Sequence, residues 1–378
     1  MNKHEISVLS SDVDKILSNA KIPYTTFNFS LIDNGVYNPV YKIEVEHMGE
    51  ITNLILKITN PKWKFDKTTN ESAIIDFLSK HTNIPAPKLY SFDNTGTVFG
   101  HEFILMQQIP GIPLSDIYSE LDFDQRKPYL DQLAKIFADI QKININVGSQ
   151  TFGCFSRISP VSNKPHHFTA DMIPNVYNKM GPYDNYVDYQ ISMIECHLED
   201  LLNSKFASFV ERFEKYIQII NKKKQNKNES LKLVHLDLAP KNIMVDSLNK
   251  NITGIIDWEW GMLSVFDEDW RKFLEIFPSI GELRRLEPGS EEQDNNTIKN
   301  KALWKGEQER LYVLNCIKEL INVPDQELYE SRRDDFYVAR YSLNMALCSG
   351  WYDNPEQLNQ YELLLRKKTD QLLNKYGI

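Results

Sequence analysis

The chain is poor in cysteine, and what it has is scattered. Its four cysteines (Cys154, Cys196, Cys316 and Cys348) form no CxxC pair, which excludes a thiolate zinc knuckle and offers no disulfide framework. No stretch reaches the ~20 apolar residues that a bilayer-spanning helix needs, and the mean hydropathy is −0.43. The opening segment MNKHEISVLSSDVDKIL contains Glu5, Asp12 and Asp14, which interrupt any apolar core of a signal peptide. Positive charge is also short: 43 Lys and Arg face 52 Asp and Glu, a net −9 at pH 7. That balance argues against a nucleic-acid binder, which needs cations to displace phosphate counterions. Together these absences predict a cytoplasmic protein with reduced thiols and no membrane or nucleic-acid partner. The surface suits a partner that, if charged, is a cation, although −9 on a chain of this size, taken alone, reads as ordinary solubility.

What is present is ordinary globular material, 378 residues of which 42% are apolar and 25% charged. Residues 31–60 predict short strands, with runs Val40–Val45 and Leu54–Ile58 on either side of the turn-like His47-Met48-Gly49-Glu50. Asp66–His81 predicts a helix with Ile74, Ile75, Phe77 and Leu78 on one face. A strand pair is expected around Lys88–Phe92 and Glu102–Met106 across an Asn94-Thr95-Gly96 turn. The rigid IPGIP at 109–113 marks a boundary between units 1–108 and 109–378. Beyond it, Tyr129–Ile143, Tyr186–Leu202 and Phe206–Ile220 predict helices. Residues 145–183, rich in Gly, Pro, Ser and Asn, read as an irregular insertion, and 221–230 as a solvated linker. Tyr177, Tyr183, Tyr186 and Tyr189 fit helix packing better than a cation cage. A compact strand region follows at Leu231–His235, Ile243–Val245 and Thr253–Asp257. The C-terminal stretch reads as helical again, broken by the acidic loop 287–296. The fold class predicted is α+β: a small β-rich N-terminal lobe, a hinge and a larger, mainly helical C-terminal lobe.

The informative segment is Val234-His235-Leu236-Asp237-Leu238-Ala239-Pro240-Lys241-Asn242, followed by the strand Gly254-Ile255-Ile256 and then Asp257-Trp258-Glu259. Phosphoryl transfer needs such a set. One carboxylate orients the attacking hydroxyl and takes its proton, while a carboxamide oxygen and a second carboxylate hold Mg2+, a hard cation that prefers oxygen. Asp237 fits the catalytic base, Asn242 and Asp257 the metal ligands, and His235 a structural brace for the loop. An isolated HxDx4N pattern would arise by composition in roughly one such chain in twenty, so the Ile-Ile-Asp-Trp strand at a hairpin's distance carries the weight. Lys57, central in the apolar strand Leu54–Ile58, suits a phosphate ligand, and Glu71 on the next helix is its natural partner. The alternative for Lys57 is an edge-strand lysine facing solvent. Gly35 and Asn38, in Asn34-Gly35-Val36-Tyr37-Asn38-Pro39-Val40-Tyr41, belong to a turn over which phosphates could sit. Taken alone, it reads as an ordinary hairpin turn.

These residues resemble the aminoglycoside phosphotransferase-like family of protein-kinase-fold small-molecule kinases, which also includes choline, homoserine and fructosamine kinases. The resemblance spans about 30–275: the turn Gly35–Lys42, Lys57, Glu71, the hinge FILMQQIPG at 103–111, the catalytic loop and IDWE. It implies a bilobal kinase-like fold, with adenine held by the backbone around Met106–Gln108 and ATP (GTP the alternative) with Mg2+ as cofactors. The acceptor would sit between the catalytic loop and the C-terminal helices, where Glu259, Asp267, Glu268 and Asp269 could bind an amine-bearing substrate, the alternative for Asp269 being a helix cap or a tie to the catalytic loop. Two departures stand out. Leu236 occupies the place where the family reads H-G-D. The Arg, DFG and APE signatures of protein kinases are also missing. The expectation is therefore a small-molecule phosphotransferase, monomeric or homodimeric, acting on a hydroxyl of an aminoglycoside-like compound or sugar. Its rivals are a choline or ethanolamine-type metabolic kinase, and a nucleotide-binding pseudokinase. The presence of Lys57, Asp237, Asn242 and Asp257 speaks against the last.

Overall fold

The computed structural model describes residues 6–34, 38–60, 66–147, 151–162, 164, 167–176, 179–204, 206–224 and 231–265, with shorter stretches beyond 308 such as 315–321 and 369–378. Helix α1 (Ser10–Asn19) leads into strands β1 (Thr26–Asn34), β2 (Pro39–His47) and β3 (Glu50–Ile58), then helix α2 (Lys67–His81), β4 (Leu89–Asp93) and β5 (Phe103–Gln107). The five strands form one antiparallel sheet in the order β1-β2-β3-β5-β4. Period-two alternation divides β3 between two environments. Leu54, Leu56 and Ile58 pack with Val13, Ile16 and Leu17 of α1, while Ile55 and Lys57 face the other way, toward α2. That single register puts a charged side chain in the middle of the sheet, opposite Ile104 of β5 and Val40 of β2.

The short β6 (Ile112–Pro113) and helix α3 (Phe123–Lys142) follow. Helix α3 begins six residues before the predicted Tyr129, because Asp122 caps it: its carboxylate accepts from Gln125 N, while Gln125 Oε1 accepts from Asp122 N. The region expected to be irregular is instead a three-stranded sheet of β7 (Asn144–Asn146), β8 (Cys154–Pro160) and β9 (His167–Ile173). The sheet buries Cys154, Phe155, Ile158 and Phe168 among polar residues that read as loop, with a register shift between Phe155 and Arg157 interrupting the alternation. Phe168 meets Phe77 of α2 edge-on at 4.6 Å, so this sheet backs α2. Helices α4 (Tyr186–Leu202) and α5 (Val210–Lys222) come next, with Tyr186 and Tyr189 buried in their packing.

Four short strands complete the described core: β10 (Leu231–Val234), β11 (Ile243–Asp246), β12 (Asn251–Ile255) and β13 (Met262–Val265). β11 and β12 form a hairpin joined by β6, and β10 pairs with β13. The two connections that matter, 235–242 and 256–261, leave these pairs side by side. The acidic loop 287–296 lies outside the described residues, and no described helix is long and apolar enough to cross a membrane.

Gly111 sits where β6 meets the hairpin, at φ +110°, and a Cβ there would lie 2.2 Å from the Val245 carbonyl oxygen. A side chain has neither the backbone freedom nor the space. Gly111→Ala is expected to cost at least about 2 kcal/mol, read as a lowered thermal midpoint. An unchanged midpoint would contradict this packing.

Candidate active site

Two loops are stitched together by backbone and histidine. Ile256 N–H donates to Asn242 O at 2.9 Å, and Ile256 O accepts from the His235 ring Nε2 at 3.1 Å. His235 Nδ1 then accepts from Asp237 N at 3.2 Å, which fixes the Nε2–H tautomer. The ring is fully buried and lies 4.4 Å from Trp258, whose indole donates to Ile255 O at 3.1 Å. The turn therefore closes around one imidazole, with Asp237 on one side and Asp257 on the other. Leu236 between them has φ +61°, a conformation that costs a non-glycine residue roughly 1–2 kcal/mol. Its side chain packs against the α4–α5 cluster, offsetting part of that cost. This is how the loop accommodates a leucine where the resembling family has glycine.

Asn242 donates both amide hydrogens backwards, to Asp237 O at 2.7 Å and Asp237 Oδ2 at 3.0 Å. Two acceptors on the nitrogen side leave Oδ1 as the atom that can hold a ligand. Lys241 lies 3.2 Å from the same Asp237 Oδ2, a contact that the sequence reading missed because nothing in a turn dictates where a lysine points. Asp257 has φ +65°, ψ +54°, which swings its carboxylate toward β3. There Lys57 Nζ is 2.6 Å from Asp257 Oδ1, 2.7 Å from Glu71 Oε2 and 3.2 Å from Glu259 Oε2. The solvent-facing alternative for Lys57 is excluded, since its residue is 8% exposed.

Three carboxylates whose ligand atoms lie within 4.8 Å of one another surround one ammonium, and the pKa values of Lys57, Glu71 and Asp257 respond. Burial would lower that of Lys57, but Asp257, Glu259 and Glu71 raise it well above the ordinary value. Burial lifts Glu71 to about 7, with Asp257 and Glu259 adding to the rise and Lys57 opposing it. For Asp257 burial pulls upward, yet the charge and hydrogen bond of Lys57 prevail, and its carboxyl falls below the usual range.

Other expected site residues sit elsewhere. Glu259 is not an open carboxylate: it is 3% exposed, takes Asn38 Nδ2 at 2.8 Å and Lys67 Nζ at 3.1 Å, and lies 3.2 Å from Lys57 Nζ. The physical reason is the tight turn Trp258–Trp260 after Asp257, which directs the second residue back toward α2. Asn38 is likewise committed inward, its Oδ1 accepting from Asn60 N at 3.3 Å. Met106 is buried near the end of β5, and the following Gln108 already donates its backbone N–H to Asn53 O at 3.1 Å. Gly35, Asp267, Glu268 and Asp269 lie outside the described residues. The polar end of α2, which carries no hydrophobic signal in the sequence, is also part of the site. Asn70, fully buried, donates to the carbonyls of Glu259 (3.2 Å) and Gly261 (2.8 Å) and accepts from Phe155 N at 2.8 Å. A Cβ on Gly261 would come 2.6 Å from Ile74 Cδ1, so the absence of a side chain there lets helix and turn close together. One face of α2 (Lys67, Asn70, Glu71 and Ile74) thus docks the whole Asp257 turn.

Asp257 supplies the pH prediction. Its pKa is lower folded than unfolded, so its stabilisation is present above the ordinary value of 3.8 and is lost as pH falls through the folded value. The stability advantage of wild type over Asp257→Asn, measured by thermal melts, should shrink below about pH 4. An advantage that grows on acidification would contradict the pairing.

Comparison with known proteins converges on one group. Residues 28–280 match the model of the phosphotransferase enzyme family. A relative, clavilactone A biosynthesis cluster protein Y of Ampulloclitocybe clavipes, is 22% identical over 298 residues, covering 71% of this chain and 65% of that protein. The chain therefore spans less than two thirds of that relative's length. A candidate aminoglycoside phosphotransferase of Ralstonia eutropha superposes with a TM-score of 0.59 at 12% identity, covering 97% of this chain and 98% of that one. A thermostable mutant of aminoglycoside phosphotransferase APH(4)-Ia, solved with ADP and hygromycin B, gives 0.54 at 13% identity, covering 96% and 97%. These likenesses establish the bilobal, kinase-like α+β fold.

Proposed function

The chain belongs to the phosphotransferase enzyme family, and from that premise we propose that it transfers the γ-phosphate of ATP, with Mg2+, to a hydroxyl of a small amine-bearing molecule. The observation that carries the proposal is the convergence of Asp237, Asn242 and Asp257 from two short loops, with Lys57 facing them from the N-terminal sheet. The donor set fits Mg2+. Asn242 Oδ1 and Asp257 Oδ2 are oxygens without a hydrogen-bond partner among the described residues, and hard cations take oxygen ligands. Bound there, the ion would neutralise charge on the phosphates.

The protein's own residues do the rest. Lys57, oriented by Glu71, holds phosphate oxygens. Asp237, with Oδ2 fixed by Asn242 and Lys241, takes the proton of the acceptor hydroxyl on its remaining oxygen. The acceptor oxygen bonds to the γ-phosphorus as the bond to the leaving oxygen breaks, and ADP departs. The net charge of −9 supports a cationic acceptor. The solved relative that holds ADP and hygromycin B supports nucleotide use and an aminoglycoside-like compound as the first class to try. We place the division between nucleotide and catalytic lobes after Gln108.

A coupled ADP-release screen over aminoglycosides, amino alcohols and sugars tests this. At least one amine-bearing alcohol should stimulate turnover, and choline or ethanolamine alone doing so would select the metabolic-kinase reading. A thermal shift with MgATP but no product from any acceptor would contradict transfer. Asp237→Ala should lose about 10²- to 10⁴-fold in rate while nucleotide binding persists. A near-normal rate in that variant would sink the mechanism.

A further inference from the structure

Lys67 is a buried charge that the proposed reaction does not use. It begins α2, is 2% exposed, lies 3.1 Å from Glu259 Oε1 and covers the ring of Trp260 at 3.7 Å. Burying an ammonium is expensive unless its charge is needed where it sits. What it meets is Glu259, whose other oxygen is 3.2 Å from Lys57. Lys57 is thus claimed by three carboxylates before any nucleotide arrives. Two of those claims belong to the proposed chemistry: Glu71 orients the lysine, and Asp257 holds the metal. The third, Glu259, is a rival. In a partly dry cleft a carboxylate at that distance competes strongly with a phosphate oxygen for one ammonium.

We propose that Lys67 is a positioning residue for Lys57: it neutralises Glu259, so that this carboxylate does not hold the Lys57 ammonium away from nucleotide phosphates. The inference rests on the ATP-binding reading above. Helix periodicity supports it. Lys67 and Glu71 are four apart on one face of α2, so the same helix delivers an ammonium to Glu259 and a carboxylate to Lys57 in fixed register. Asn70, between them, bonds the Glu259 backbone and keeps the carboxylate within reach of both lysines. The five groups comprise three carboxylates and two ammoniums, so removing Lys67 would leave Glu259 with Lys57 as its remaining described cation.

Calorimetry of Mg–AMP-PNP binding on the full chain separates this role from a simple tie between helix and loop. Lys67→Met should weaken binding by about tenfold or more, and Lys67→Arg should restore most of it. The double variant Lys67→Met/Glu259→Gln should regain affinity, because the rival charge is gone. A structural tie, already broken in Lys67→Met, predicts no recovery in the double variant. Glu259→Gln alone, which keeps the helix end intact, should bind at least as tightly as wild type. The inference is overturned if Lys67→Met binds like wild type, if the double variant binds no better than Lys67→Met, or if Glu259→Gln loses tenfold. Wild type failing to bind nucleotide would instead overturn the function reading, and this inference with it.

Discussion

One ammonium holds the site together. Lys57 is placed by strand alternation on the face of the sheet that meets α2, and three carboxylates from two separate parts of the chain converge on it. Each buried carboxylate would be costly alone. The charge of Lys57 makes their gathering tolerable, and the gathering fixes the relation between the N-terminal sheet, α2 and the turn after β12. The two carboxylates respond differently to one cation: burial outweighs Lys57 at Glu71 and lifts its pKa, whereas at the more exposed Asp257, with the shorter contact, the charge of Lys57 prevails and the pKa falls.

Around that charge the remaining contacts set geometry. His235 spans the two loops, donating from Nε2 to Ile256 O and accepting at Nδ1 from Asp237 N, and Asn242 turns its amide hydrogens to Asp237 so that its oxygen is left over. Asn70 does the equivalent on the helix side, with both donors on turn carbonyls and its acceptor on β8. A buried amide satisfied on all sides, as Asn70 is, specifies a single arrangement more strictly than apolar packing does. Protein kinases move the corresponding helix and rely on phosphorylation to place it. Here α2 is fastened to the turn and backed by the β7–β9 sheet, consistent with the absence of the Arg and APE signatures from the sequence.

Much of this was legible in the chain, for identifiable reasons. Spacing along two short apolar strands fixes where Asp237, Asn242 and Asp257 emerge, and period-two and 3.6-residue patterns fix Lys57 and Glu71. Glu259 was misplaced because a single left-handed residue, Asp257, reverses the chain after the strand, and hydrophobic pattern carries no signal of it. Lys67 and Asn70 escaped notice because polar residues on the buried face of a helix look, in sequence, like its solvent face. The β8–β9 hairpin was hidden by its Ser, Asn, Pro and His content and by a register shift between Phe155 and Arg157 that breaks its period-two pattern. The acceptor side was the least legible part: Asp267 and Asp269 rest on resemblance, and families sharing a donor site vary at the acceptor.

The central claim is that Asn242 and Asp257 present oxygens to a metal-bound nucleotide opposite Lys57. Its most direct test is calorimetric titration of AMP-PNP with and without Mg2+ into wild type and Asp257→Ala. Wild type should bind tightly and only with the metal, and the variant should lose that metal dependence. Equal binding to wild type with and without the metal would contradict it.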